Sequence, residues 1–291
     1  MAADQHGDSG EGAALRIALD QSAGPSRDPD GALGSLERSA AAAAERGAHL
    51  LVTPEMSLTG YNIGEASSAF AEPADGPLAG SVARIAARQG IAILHGYPER
   101  EGQAVHNTAQ LTDAAGNTRA GYRKTHLFGP ADRGVFTPGD AGLVQTELNG
   151  LRLGILICYD VEFPEMVRRH ALAGTDLLLV PTALMHPHTA VATSVVPVRA
   201  LENQIHVAYV NRCDTEGELD YCGLSCLVDP WGEELLRAGS GPELLLGEVD
   251  RRTITAARRS VSYLADRRPE LYTPLAYREA APGTTTGDTS R

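Results

Sequence analysis

The hydrophobic period of this chain switches repeatedly between two and about 3.6, and this switching limits the possible folds more than any single motif does. Leu15, Ile17 and Leu19 alternate as in a strand, whereas Leu33, Leu36, Ala40 and Ala43 recur at helical spacing. His49 to Thr53 is a short apolar strand closed by Pro54. Leu78, Val82 and Ile85 then share one helical face, and Ile91 to Leu94 is a second short apolar strand. Further on, Leu151 to Cys158, Asp176 to Val180 and His206 to Asn211 read as strands, separated by helices over Phe163 to Ala173 and Val191 to Asn203. Turn signals at Ala115-Gly116-Asn117 and Asn149-Gly150 mark hairpins, which require antiparallel pairing. Helices alternating with strands, with hairpins embedded, give an α/β protein with mixed rather than purely parallel sheets.

No break in composition divides the chain, so one large domain is expected over residues 13–279. The segments 1–12 and 280–291, rich in small and polar residues, read as flexible tails. An apolar fraction of 43% over 291 residues is enough for a substantial core. The formal charge is −12 and no basic run is present, which excludes a nucleic-acid or anionic-membrane partner and leaves small molecules. The N-terminus has no basic start followed by an apolar stretch, and no segment approaches the roughly 20 apolar residues of a membrane span, so a cytoplasmic location is expected. Four cysteines are too few for a disulfide scaffold and are expected as reduced thiols.

Three ionisable residues stand where apolar strands end. Cys158 closes GILIC ahead of the helix beginning near Glu162; Glu55 follows LLVTP; Lys124 follows a strand in YRKTHLF. Open α/β sheets bind ligands at the carboxyl ends of their strands. A thiol facing a helix N-terminus and a nearby cation is expected to have a lowered pKa, which makes Cys158 a candidate nucleophile. Taken singly, each residue has an ordinary reading: an inert buried cysteine, a surface carboxylate, a solvated lysine.

Taken in order, LLVTPEMSLTGY, YRKTHLF and GILICYDVEFPE resemble the glutamate, lysine and cysteine motifs of the nitrilase, or carbon-nitrogen hydrolase, superfamily. The resemblance continues through PVRALENQIHVAYVNR, GLSCLVDPWG and DRRPELYTPL, so that it covers about residues 14–276. It implies a four-layer α-β-β-α sandwich, pairing through helices into a homodimer or a higher oligomer, and Glu55, Lys124 and Cys158 as catalytic residues. Members of the superfamily also carry a second glutamate ahead of an F-x-PG segment. Counting back from Pro138 puts Asp132 there, one methylene short, and it is expected to meet Lys124 or Glu55 through water or a shifted loop.

The implied chemistry is covalent hydrolysis. Glu55 takes the thiol proton, Cys158 attacks a carbonyl, and Lys124 with the Tyr159 N–H stabilises the oxyanion before water releases the acid. Loops at 61–75, 126–140 and 184–190 are the expected pocket walls. Tyr61, His126, Tyr159, Glu162 and His186 or its neighbour His188 are the substrate-binding candidates, while Glu162 and Glu165 also suit capping of a helix's first turn. Cys158-Tyr159-Asp160, in place of Cys-Trp-Glu, resembles the amidase and carbamoylase branches. A small primary amide is therefore the expected substrate, with an N-carbamoyl compound or a non-catalytic subunit as alternatives. Cys222-x3-Cys226 lacks a second ligand pair, and GSGPELLLG lacks a nucleotide fingerprint, so neither a metal nor a cofactor is expected.

Overall fold

In a computed structural model, residues 14–272 are described; the tails expected at 1–12 and 280–291 lie outside the described residues. Two six-stranded sheets are built to the same plan. In the first, Ala14–Gln21, Leu50–Val52 and Ala92–Glu101 run parallel, flanked by antiparallel Glu243–Asp250 on one side and by Ala104–Thr112 and Thr118–Arg123 on the other. In the second, Leu151–Ile155, Leu177–Thr182 and His206–Asn211 run parallel, flanked by Gln145–Leu148 on one side and by Cys226–Val228 and Glu234–Arg237 on the other. The mixed pairing follows the alternation in the sequence. Asn149 and Gly150 adopt the positive φ values (51° and 78°) that a two-residue hairpin demands.

The sheets pack face to face. Ile17, Leu19, Leu50 and Val52 of the first are buried in one cluster with Leu153, Ile155, Leu177 and Val207 of the second. Alternate residues of the same strands, Ala18, Leu51 and Ile93, turn the other way and meet Leu36, Ala40, Val82 and Ile85 from the helices Pro29–Glu45 and Pro77–Gln89. Helices Pro164–Leu172 and Val196–Asn203 cover the second sheet, which completes the α-β-β-α sandwich. Each fully buried Leu or Ile contributes about 1.5–3 kcal/mol, so the twofold alternation on both sheets holds all four layers together. The first helix starts where sequence and backbone agree: the Asp28 carboxylate accepts from the Gly31 N–H at 3.0 Å and Pro29 occupies the first turn. The second ends at Gly90, whose φ is 64°. Among the described residues no helix is long and apolar enough to cross a membrane.

Two boundaries differ from the sequence reading. The apolar run at 91–94 is only the start of Ala92–Glu101, which pairs along its length with Ala104–Thr112. The partner strand buries His106, Asn107, Thr108 and Gln110, so its composition hides it. The strand expected to reach Cys158 stops at Ile155, and Cys158 opens a short 3-10 turn, Cys158–Glu162.

Asp20 is buried near the carboxyl end of the first strand. Burial pushes its carboxyl up to about 6, with Ser39 and Ser22 pulling it down by less. A carboxylate whose folded pKa is raised penalises the folded state above that pKa and not below the unfolded value. Asp20→Asn is therefore expected to raise stability by up to about 3 kcal/mol at pH 8, with the gain shrinking as pH falls below 6. Urea denaturation at pH 8 and pH 5 measures it, and an equal effect at both values would contradict the burial cost.

Candidate active site

The parallel strands of both sheets end at one edge, and the loops leaving them are tied across the sandwich. Val52 leads through Thr53 and Pro54 to Glu55, whose backbone N–H donates to the Thr182 carbonyl of the other sheet at 3.3 Å. The loop lies so close to the neighbouring strand that a Cβ on Gly96 would come within 2.4 Å of the Met56 backbone nitrogen; only glycine permits this approach. Lys124, directly after Thr118–Arg123, is held by its backbone on both sides. Its N–H donates to the Asn107 carbonyl at 2.8 Å, and its own carbonyl accepts from Gly139 at 2.9 Å.

The side chains converge. Lys124 Nζ donates to Glu55 Oε1 at 2.8 Å and to Asp132 Oδ2 at 2.8 Å, and all three residues are buried. Asn107 Nδ2 donates to the same Glu55 oxygen at 2.7 Å, while Glu55 Oε2 is buried with no protein partner. Cys158 sits opposite with φ at +49°, a left-handed conformation that a non-glycine residue adopts only under constraint. It opens onto a cavity of about 40 Å³ walled by Tyr61, Phe128, Tyr159, Glu162 and His188.

Burial disfavours every charge here, and the pairings decide which survive. Desolvation pushes Glu55 above the usual carboxylate range; Lys124 pulls it back, while Asp132 adds to the rise. Lys124 loses solvation too, but Glu55, Tyr61, Cys158 and Asp132 outweigh that loss and hold its ammonium well above its ordinary value. Cys158 is pushed up by burial and by the Glu55 charge, against which Lys124, Thr182 and the Ala183 backbone N–H act more weakly. This corrects the expectation of a lowered thiol pKa. The α-helix with its aligned dipoles begins only at Pro164, beyond the 3-10 turn, and desolvation dominates. The resting site thus holds a neutral thiol beside a carboxylate of raised proton affinity.

Other expected residues are redistributed. Asp132 meets Lys124 directly rather than through water, because the Gly129–Val135 helix brings its loop inward; Oδ2 also accepts from the Phe128 N–H at 3.0 Å. Tyr61 and Tyr159 line the Cys158 cavity, and the Tyr61 ring centroid is 5.5 Å from Lys124 Nζ. Glu162 also lines it; as the last residue of the 3-10 turn it caps no α-helix, and its carbonyl accepts from Arg199. Glu165 does stand in the first turn of Pro164–Leu172. Of the two loop histidines, His188 reaches the cavity, against the edge of Phe128, and His186 is not among its walls.

His126 does not line the Cys158 cavity. Its ring stacks on Phe163 with centroids 3.9 Å apart, and its Nδ1 lies 2.8 Å from Asp160 Oδ1. It borders a separate open cavity of about 760 Å³ near Pro164–Leu172, which does not include Cys158.

Sequence reading missed two organising carboxylates. Asp160 accepts from the Tyr122 and Thr125 hydroxyls and from the His126 and Ile157 N–H groups, at 2.8 to 3.2 Å, which ties the turn after Cys158 to the segment after Lys124. Glu216 accepts from the Tyr61 and Asn62 N–H groups and from the Tyr221 hydroxyl, which fixes the Tyr61 loop. Asp160 had a signal, being a charged residue shortly after a buried strand end; Glu216 lies in a two-residue strand, Thr215–Glu216, paired with Leu219–Asp220, too short to carry a periodic signal. Cys222 and Cys226 are buried, and among the described residues no group of three His, Cys, Asp or Glu side chains is arranged to hold a metal.

The strand ends of this sandwich bring a thiol, a buried lysine and two carboxylates to one edge, the makings of a hydrolase. The carbon-nitrogen hydrolase family model matches residues 16–259, and the chain belongs to that family, in the amidase-like branch of the nitrilase superfamily. It is similar to a protein of Pseudomonas protegens described as a hydrolase in the pqqF 5' region, 48% identical over 267 residues, covering 91% of this chain and 93% of the relative. An (R)-stereoselective amidase of a Pseudomonas species is 35% identical, covering 87% of this chain and 92% of the relative. Among solved structures, an amidase from Nesterenkonia sp. superposes with a TM-score of 0.81 at 38% identity, covering 89% of this chain and 95% of that one.

Proposed function

We propose that this protein hydrolyses the C–N bond of a small primary amide, releasing a carboxylate and ammonia through a thioester on Cys158. The observation that carries this reading is the divided environment of Glu55. One oxygen is pinned by Lys124 and Asn107, and the other is buried without a partner, beside a thiol held neutral. Such a carboxylate is suited to take the Cys158 proton as the sulfur attacks the carbonyl, and then to give it to the departing ammonia. A water deprotonated by Glu55 then cleaves the thioester, and the thiol is restored. Lys124, fixed by two carboxylates, and the Tyr159 N–H supply the donors for the oxyanion; a preformed donor of this kind costs no reorganisation during reaction. These steps require no histidine; His188, on the wall of the Cys158 cavity, packs against Phe128.

Because Glu55 must be ionised to accept a proton and its pKa is raised, kcat/KM is expected to fall with acid at a pH above the ordinary carboxylate range. Asp132→Glu tests the shorter carboxylate. Its direct 2.8 Å bond to Lys124 leaves no gap for another methylene, so kcat/KM is expected to drop about tenfold or more through displacement of Lys124. A rise in rate would contradict a loop built around aspartate.

Ammonia release from a panel of amides, nitriles and N-carbamoyl amino acids tests the reaction itself. Turnover of amides alone is expected. Turnover of the N-carbamoyl compounds, with carbon dioxide released as well, would replace the acyl group by a carbamoyl group on the same residues. Association into a homodimer is also proposed, supported by apolar side chains exposed on Val196–Asn203 and nearby, Val198, Leu201 and Trp231 among them; light scattering would measure it. A cytoplasmic location accompanies this reading as a proposal.

A further inference from the structure

The cavity at Cys158 is too small for more than the reacting carboxamide, but a second cavity of about 190 Å³ abuts it, sharing Tyr61, Phe128 and Met185 as walls. Its remaining surface is mostly apolar, with Pro130, Val135, Phe136 and Leu219 contributing. The one charged side chain on its wall, Asp132, is spent on Lys124 and the Phe128 N–H. Glu162 is the free carboxylate on the wall of the inner cavity, half-buried and pushed above its ordinary value by that burial. Among the described residues, no lysine or arginine lines either chamber.

These walls discriminate by charge and by size. An anionic acyl group would give up water with no lysine or arginine on the walls to meet it, would face Asp132 and Glu162, and would find His188 as the one titratable base lining the inner cavity, a combination that costs more than it returns. An apolar group entering the outer chamber replaces water with side-chain contact, and each methylene accommodated is worth about tenfold or more in discrimination. A cavity of about 150 Å³ accommodates benzene, so the outer chamber takes a six-carbon ring or a branched chain of similar bulk.

We propose that the outer chamber is the acyl-binding site, and that it selects amides with an uncharged, apolar acyl group of about five or six carbons while rejecting those bearing a carboxylate. The inference rests on the amidase reading, with the carboxamide seated at Cys158. It narrows the substrate to neutral alkyl or cycloalkyl carboxamides and assigns Leu219 and Val135 as specificity-determining residues.

Calorimetric titration of the Cys158→Ala variant tests it without turnover, with acetamide, cyclohexanecarboxamide and succinamate as ligands. The expected result is a Kd for cyclohexanecarboxamide about tenfold or more below that for acetamide, with succinamate the weakest of the three. In the same background, Leu219→Trp, which fills the chamber, is expected to erase the advantage of the ring over acetamide. Leu219→Ala, which enlarges it, keeps the ring bound and serves where tryptophan prevents folding. Equal affinity for the two neutral amides, or tighter binding of succinamate than of cyclohexanecarboxamide, would overturn the assignment. The amidase reading fails separately: if cyclohexanecarboxamide binds as expected but the wild-type protein releases no ammonia from it, the chamber stands and hydrolysis does not.

Discussion

Cys158→Ala is expected to lower kcat by about six orders of magnitude, the scale seen when a hydrolase loses the nucleophile of an interdependent catalytic group. The loss should be confined to chemistry. The side chain removed is small, alanine tolerates the positive φ no worse than cysteine does, and the hydrogen bonds that join Asn107, Glu55, Lys124 and Asp132 do not involve the sulfur. The melting temperature should therefore move little. Ammonia release and a thermal melt, run on the same preparation, separate the two effects; a variant that melts normally and still turns over would remove Cys158 from the mechanism.

Lys124→Met should damage both stability and rate. The ammonium is fully buried between Glu55 and Asp132, so deleting it leaves two buried carboxylates facing each other. Breaking a buried pair in this way costs about 3–5 kcal/mol, and loss of one oxyanion donor costs about 10²–10³ in rate. The stability loss carries a pH signature. Without the cation that pulls it down, the Glu55 carboxyl, already raised by burial, rises further above its unfolded value, so the penalty is present at high pH and is relieved as Glu55 protonates on acidification. Urea denaturation should find the variant much weaker than wild type at pH 8 and closer to it at pH 5. A gap that does not change with pH would mean that lost packing, not unpaired charge, is responsible.

The architecture was largely legible because both sheets obey simple periodicity. Ile17 and Leu19 face one way and Ala18 the other, and that alternation is written in the residues themselves. The Asn149-Gly150 hairpin is equally local. Ala104–Thr112 was not legible, since its buried face carries Asn107, Thr108 and Gln110, whose burial makes sense only once their partners across the sheet are known. The same holds at the site. Glu55, Lys124 and Cys158 could be named from their motifs, but the contribution of Asn107 to Glu55 depends on a strand pairing that no local pattern announces.

Electrostatics separated from sequence reasoning for a related reason. A thiol ahead of a helix suggests a stabilised thiolate, yet burial beside the Glu55 charge reverses the sign. The consequence is mechanistic. A thiol that remains protonated at neutral pH needs its base at the moment of attack, and Glu55, with one oxygen left open, is built for that transfer. His126, expected as a substrate-binding candidate in the 126–140 loop, is hydrogen-bonded to Asp160, stacked on Phe163, and borders cavities that do not include Cys158.

The most direct test of the central claim is the mass of the protein during turnover. The wild-type protein would be mixed briefly with a turned-over amide, quenched in acid during turnover and digested. The account predicts an added mass equal to the acyl group on the peptide that contains Cys158, and none when Cys158 is alanine. Turnover by the wild-type protein with no adduct at any stage, or an adduct carried by Cys213, Cys222 or Cys226 instead, would contradict it.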